Sequence, residues 1–210
     1  KLQQYISEEE FVKIGAKIAE RRQLTNVYPT SENVFKAFIP FGEIRAIILA
    51  QDPFHTPNVA TGLCFESGVK GFIPPSLRNI YSELYSDLSV DEGIIDFESW
   101  KSQGIFLLNT SLTVEEGVPG SHCEIWKPFT NAVFKCLNET SGLIYLLWGN
   151  GAKSFKTFID PNRNYLLEAN HPSPLSANRG GWFGNKHFST TNGILKQNNN
   201  ETIQWLKEKN

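Results

Sequence analysis

The sequence predicts an α/β fold: a single-domain three-layer sandwich with a central four-stranded, parallel, twisted sheet flanked by helices. Two observations predict it. Four short apolar runs, almost free of charge, alternate with stretches of helical periodicity, the pattern of parallel strands joined by right-handed crossovers. Each run also stops abruptly in polar or glycine-containing sequence, namely Gln51-Asp52, Asn109, Gly149-Asn150 and Asn170-His171. In a parallel sheet these carboxyl ends share one edge, where open α/β sheets place their ligands. One domain over residues 1–210 fits this length better than two.

The elements follow in order. Ser7 and Glu10 form a capping-box pattern ahead of Phe11, Ile14 and Ile18, so a helix is predicted from Ser7 to Arg22. Tyr28-Pro29-Thr30 breaks the chain, and a short second helix is expected from Ser31 to Phe38, before Pro40. Arg45 to Ala50 is the first strand, and Gly62 to Phe65 a short extended piece beyond its loop. Pro74-Pro75-Ser76 precedes Leu77, Ile80, Tyr81, Leu84 and Leu88, an amphipathic helix with Ser76 as its expected N-cap. An acidic segment closing at Trp100-Lys101 predicts a further short helix. Ile105 to Leu108 is the second strand, Phe129 to Leu137 a helix, Leu143 to Trp148 the third strand, and Ala152 to Phe158 another helix. Tyr165 to Ala169 is the fourth strand, and a final helix is expected from Thr202 to Lys207.

Composition bounds the function. The chain is 40% hydrophobic and 20% charged, the balance of a soluble globular protein, and no apolar stretch approaches the ~18 residues of a membrane span. The chain starts at Lys1 and holds no methionine, so a trimmed N-terminus is expected. Cys64, Cys123 and Cys136 lack C-x-x-C spacing and read as free thiols of a reducing compartment. A net charge of -2 argues against a generic basic coat for nucleic acid. The distribution is uneven, however: 169–200 contains no acid, while Arg179, Lys186, Lys196, His171 and His187 fall inside it. One face can therefore tolerate phosphate, although ordinary surface scatter explains the charges nearly as well.

The shared strand edge offers a carboxylate at Asp52, imidazoles at His55 and His171, and an amide at Asn109 that reads hydrogen bonds in both directions. An Asp-Pro turn alone accounts for Asp52 as well as a site does; the convergence of four strand ends favours the site. There is no G-x-S-x-G elbow, P-loop or G-x-G-x-x-G, so serine-hydrolase chemistry and those modes of phosphate binding are disfavoured. Asp52, His55 and His171 could ligate a metal, but without H-E-x-x-H or clustered carboxylates no metal and no cofactor are expected.

Seven segments carry a resemblance. They are Gln51-Asp52-Pro53-Phe54-His55, Gly62-Leu63-Cys64-Phe65, Pro74-Pro75-Ser76-Leu77, Leu107-Leu108-Asn109, Leu147-Trp148-Gly149, His171-Pro172-Ser173-Pro174-Leu175-Ser176-Ala177 and His187-Phe188-Ser189-Thr190-Thr191-Asn192. Together and in this order they resemble the uracil-DNA glycosylases with Q-D-P-Y-H and H-P-S-P-L-S signatures. The resemblance implies hydrolysis of the bond between uracil and deoxyribose in a flipped nucleotide, leaving an abasic site. It implies that Asp52 positions the water and that His171 stabilises charge on uracil O2. Gln51, Phe54, Phe65 and Asn109 would hold the base, with Asn109 discriminating uracil from cytosine. Pro75, Ser76, Ser173 and Asn150 would meet the DNA backbone, and Leu175 would enter the minor groove. His55, Lys186 and His187 are further candidates for the phosphate track.

The implied partner is uracil-containing single- or double-stranded DNA, with the protein a monomer and no membrane involved. A protein inhibitor or replication partner is not readable. The implied location is the cytoplasm if the source is bacterial or phage, and a DNA-containing compartment otherwise. A bare DNA-binding module is the main alternative, and the presence of Asp52, Asn109 and His171 together speaks against it. Action on mismatched thymine would require Phe54 to leave room for a methyl group.

The chain departs from the family pattern at four places. Phe54 stands where Tyr is usual, Ala50 where Gly is, and Asn150 where Ser is, leaving a phosphate role for Asn150 in doubt. Arg179-Gly180-Gly181-Trp182-Phe183 is longer than the usual R-G-F-F turn.

Overall fold

The computed structural model describes residues 1–39 and 42–208. Four strands form the sheet: β2 (Ala46–Ala50), β3 (Ile105–Asn109), β5 (Ile144–Trp148) and β6 (Tyr165–Ala169), in the order β3-β2-β5-β6. All neighbours are parallel, with Ala50 opposite Asn109 and Trp148 opposite Ala169. Every residue of β2, β3 and β5 is buried, as expected of Ile/Leu-rich strands covered on both faces. At the edge, β6 exposes Tyr165 and Glu168. A second, two-stranded antiparallel sheet pairs β1 (Val27–Tyr28) with β4 (Val114–Glu115), an element the sequence did not predict.

The chain leaves β2 toward β3 on one side, then returns across it to β5 and continues to β6 on the other. The switch point therefore lies between β2 and β5, and their carboxyl ends carry Gln51-Asp52 and Gly149-Asn150.

The first helix, α1 (Glu8–Leu24), starts where the capping box placed it, with Ser7 Oγ accepting the Glu10 N–H at 3.2 Å. The helix expected over residues 31–38 is instead two single 3₁₀ turns, Ser31–Asn33 and Lys36–Phe38. They hold Phe35 and Phe38 against Phe129, so packing of rings replaces a regular helix. Gly62 to Phe65 is a turn, not an extended piece: Gly62 and Phe65 both take positive φ. Helix α2 spans Pro75–Leu88 with Pro74 as N-cap, so Ser76 is its second residue and not its cap. Next come α3 (Phe97–Ser102), capped by Asp96, and α4 (Cys123–Leu137). The latter begins six residues before the expected Phe129: Pro128 sits within it, and buried Trp126 carries its apolar face ahead of the proline. Then α5 (Asn150–Lys153) passes into a 3₁₀ segment, Ser154–Phe158.

Two helices were not predicted: α6 (Pro174–Ala177) and α7 (His187–Gln197). Thr190, Thr191, Asn192 and Gly193 make α7 a poor helix by propensity, and burial of Phe188, Thr191 and Leu195 stabilises it instead. The expected helix at 202–207 is absent. That segment runs extended and pairs Lys207 with Ile94, while Trp205 sits edge-on to Trp100 and Phe188 with ring centroids 5.0 Å apart in each case. Among the described residues, no helix is long and apolar enough to cross a membrane.

Candidate active site

The carboxyl ends of β2 and β5 open into two adjoining clefts that share Gln51 and His171. One, of about 350 Å³, is lined by residues 50–55 with Phe65, Ser76, Pro119, His171 and Ser173. The other, of about 390 Å³, is lined by Gln51, residues 148–152, Asn170, His171, Ser176 and Arg179. The structure thus brings Gln51, Asp52, Phe54, Phe65, Ser76, His171 and Ser173 around one cleft, with Asn150 in its neighbour.

Asp52 follows β2 directly. The main chain there is fixed from β3: Thr110 N–H donates to Ala50 O, and Ser111 N–H and Thr110 Oγ1 both bond Gln51 O at 2.8 and 2.9 Å. Burial raises the Asp52 pKa above the ordinary carboxylate value. The Gly120 N–H donated to Oδ2, the nearby His55 and the Gln51 amide at 3.4 Å all oppose that shift and favour the anion. Gly120 was not singled out in the sequence; Val118-Pro119-Gly120 signals a turn but says nothing of where the turn points.

Asn109 ends β3 beside Ala50 and is 3% exposed. Its Oδ1 is buried without a hydrogen-bond partner among the described residues. A buried amide oxygen left unpaired costs ~1–3 kcal/mol, so the fold bears a penalty here that a donor from a bound molecule would remove.

His171 follows β6. Its Nδ1 accepts the Ser173 N–H at 3.0 Å, so in the neutral ring the proton must sit on Nε2. Burial lowers the His171 pKa, which favours that neutral form. The site therefore holds an imidazole able to donate from Nε2 at neutral pH. Gly149, at φ +94°, makes room for it, since a Cβ there would lie 2.8 Å from His171 Cβ.

Phe65 is 8% exposed, and its ring centroid lies 5.5 Å from that of Trp148 and 5.8 Å from that of His171. Its φ of +65° is rarely adopted by an aromatic residue and costs roughly 1–3 kcal/mol. Cys64 secures the turn, donating its N–H to Leu107 O and its thiol to Ile48 O. Phe54 lines the same cleft, half-buried.

Around the mouth, Leu175 is 82% exposed on α6, and Pro75 is exposed at the start of α2 just outside the cleft. Asn79 of α2 ties the two together, donating to Pro172 O at 2.7 Å, a contact the sequence did not suggest. The long turn after Arg179 folds Trp182 fully inward, onto Trp148 and with its Nε1–H on Asn79 O, and leaves Phe183 exposed. Buried Glu83 accepts the N–H groups of Gly184 and Lys186, fixing that turn to α2. His187 does not belong to a phosphate track. It is 4% exposed, accepts the Trp148 indole N–H at 2.9 Å, and has its pKa pushed down to about 4 by burial.

A family model described as the uracil DNA glycosylase superfamily matches residues 37–196. The chain is 45% identical over 200 residues to the uracil-DNA glycosylase of Exiguobacterium sibiricum, covering 93% of this chain and 91% of that one. It is 42% identical over 214 residues to that of Fusobacterium nucleatum, covering 99% and 93%. Among solved structures it is similar to a mimivirus UNG variant in complex with UGI, with a TM-score of 0.87 and 26% identity over 95% of this chain and 83% of that one.

Proposed function

The chain belongs to the uracil DNA glycosylase superfamily, and from that premise we infer that it flips uracil out of DNA and hydrolyses its N-glycosidic bond. Free uracil and an abasic site are the products. The observation that carries the reading is the unpartnered Oδ1 of Asn109, buried at the strand edge that also presents Asp52 and His171.

Uracil N3–H would supply the donor that Oδ1 lacks, while Asn109 Nδ2 donates to O4. Cytosine presents an unprotonated N3 and an amino group at C4, so it would meet acceptor with acceptor and donor with donor. As the bond from C1′ to N1 lengthens, negative charge collects on uracil O2 and positive charge on the sugar. The Nε2–H of neutral His171 donates to the first. The Asp52 carboxylate favours the second and orients the water whose oxygen bonds to C1′, its proton passing to Asp52 or to solvent, while the uracil leaves as the N1 anion and takes a proton from solvent. Phe65 offers a ring face for the base, and Phe54 fills the space a thymine methyl would need. A base inside a duplex is out of reach of such a cleft. Leu175, exposed beyond His171, would occupy the gap left by the flipped nucleotide. Ser76, Ser173, Asn150 and Pro75 would set the phosphates by neutral contacts, consistent with a net charge of -2.

The test is incubation with oligonucleotides carrying U:A, U:G or T:G pairs, followed by alkali cleavage at abasic sites. Cleavage at both uracil pairs and not at T:G is the expected result. DNA binding without base release would overturn the reading.

A further inference from the structure

The loop between β4 and α4 has a built-in fastening that the reaction as described does not use. Its tip is tied to the loop after β2 at two points: Gly117 N–H donates to His55 O at 3.0 Å, and Gly120 N–H donates to Asp52 Oδ2. Gly120 holds this position at φ +76°. The neck of the loop is closed by the two side chains that follow Gly120. Ser121 Oγ accepts the Glu115 N–H at 2.9 Å, and the His122 ring bridges Thr113 Oγ1 at 2.8 Å and Glu115 Oε1 at 3.2 Å.

His122 is 1% exposed and Thr113 fully buried, so the hydrogen-bond directions can be assigned. Trp126 Nε1–H donates to Thr113 Oγ1 at 2.7 Å. The Thr113 hydroxyl then has its own proton for His122 Nδ1, and His122 Nε2–H is left for Glu115. Arg21 Nε, at 2.6 Å, holds the same Glu115 oxygen from α1. Every group in this relay is satisfied only with the imidazole neutral. A second ring proton would leave the Thr113 hydroxyl hydrogen without an acceptor. Burial, the largest influence on His122, lowers its pKa and favours that neutral form.

We propose that His122 is a positioning residue for base excision: by bonding Thr113 and Glu115 it closes the 115–122 loop and delivers the Gly120 N–H to the Asp52 carboxylate. The proposal rests on the reading of Asp52 as the catalytic carboxylate. Loss of the clamp removes a hydrogen bond to the anion, so Asp52 becomes easier to protonate and less fixed in orientation. The charged and titratable groups facing the pair are few: His55 and Cys123 beside Asp52, and Glu115, Arg21 and Arg22 beside His122.

The experiment titrates Asp52 by carboxyl ¹³C NMR, its signal identified by loss in Asp52→Asn, and records the pH profile of kcat/KM on a single-stranded uracil oligonucleotide. His122→Ala is expected to raise the Asp52 midpoint and move the acid limb of the profile to higher pH. At neutral pH kcat should fall about tenfold with KM unchanged. His122→Gln, which keeps an acceptor and a donor, should restore most of both readouts, and Ser121→Ala should move them in the same direction should His122→Ala fail to fold. An unmoved midpoint and acid limb, with only the melting temperature lowered, would overturn the proposal. A moved midpoint with an unmoved acid limb would keep the clamp and overturn the role of Asp52.

Discussion

Ser173 N–H occupies Nδ1 of His171, and this single backbone bond decides which ring nitrogen faces the cleft with a proton. Because burial lowers the His171 pKa, the neutral ring is favoured at neutral pH; acidification adds a proton at Nδ1, which displaces the Ser173 N–H and with it the bond that orients the ring. Excision is therefore expected to hold a constant kcat between about pH 7 and 8.5, checked by single-turnover rates. His171→Leu removes the donor and should cost ~10²–10³-fold in kcat with little change in DNA affinity. Phe54→Tyr should leave selectivity for uracil over thymine unchanged, measured on U:G and T:G duplexes, since on the proposed reading the ring and not the hydroxyl would fill the methyl position. The positions of Asp52, Asn109 and His171 were legible in the sequence because each ends or follows a strand of one parallel sheet, which puts them at the same edge. Gly120 and Asn79 were not, because each acts through a contact with a residue far along the chain. His187, a candidate for the phosphate track by its place in the motif, instead has its ring inside, bonded to Trp148, and burial is not written in a polar letter.

At the scale of elements, α2 is tied to the segment that leads into α6 through Asn79 on Pro172 O, and the proposed DNA contacts lie on both. Leu175 lies at the exposed corner of this pair. Leu175→Ala should slow excision from duplex DNA about tenfold and leave single-stranded substrate unaffected, a comparison made with one uracil in the same sequence context. Ser7→Ala at the α1 cap should cost ~1 kcal/mol in denaturant unfolding without touching excision. Elements with strong local signals were the readable ones. The Ser7 cap, the apolar strands and the α2 stripe each carry their own instruction. By contrast α7 forms because Phe188 and Leu195 are buried and because Asp87 of α2 accepts the Ser189 N–H at 2.8 Å, and neither fact is local. The 202–207 segment shows the same override in reverse, giving up helical turns to pair with Ile94.

For the whole molecule, alternation of strands and helices was enough to give a parallel sheet, but not its order. That order matters, since β3-β2-β5-β6 puts the switch point between Asp52 and Gly149. Stability should also carry the mark of buried His187. Its folded pKa of about 4 lies below the unfolded value of about 6.5. The unfolded chain therefore binds the extra proton first as pH falls. The stabilising contribution is fully present above pH ~6.5 and is lost progressively toward pH ~4, amounting to roughly 3 kcal/mol, which urea unfolding at stepped pH would read.

The most direct test is chromatographic detection of free uracil from a single-stranded oligonucleotide carrying one uracil, under single turnover, with the wild type and Asp52→Asn side by side. The account requires one uracil released per strand by the wild type and a rate ~10²–10⁴-fold lower for the variant. Equal rates from the two proteins, or bound DNA with no uracil released by the wild type, would contradict it.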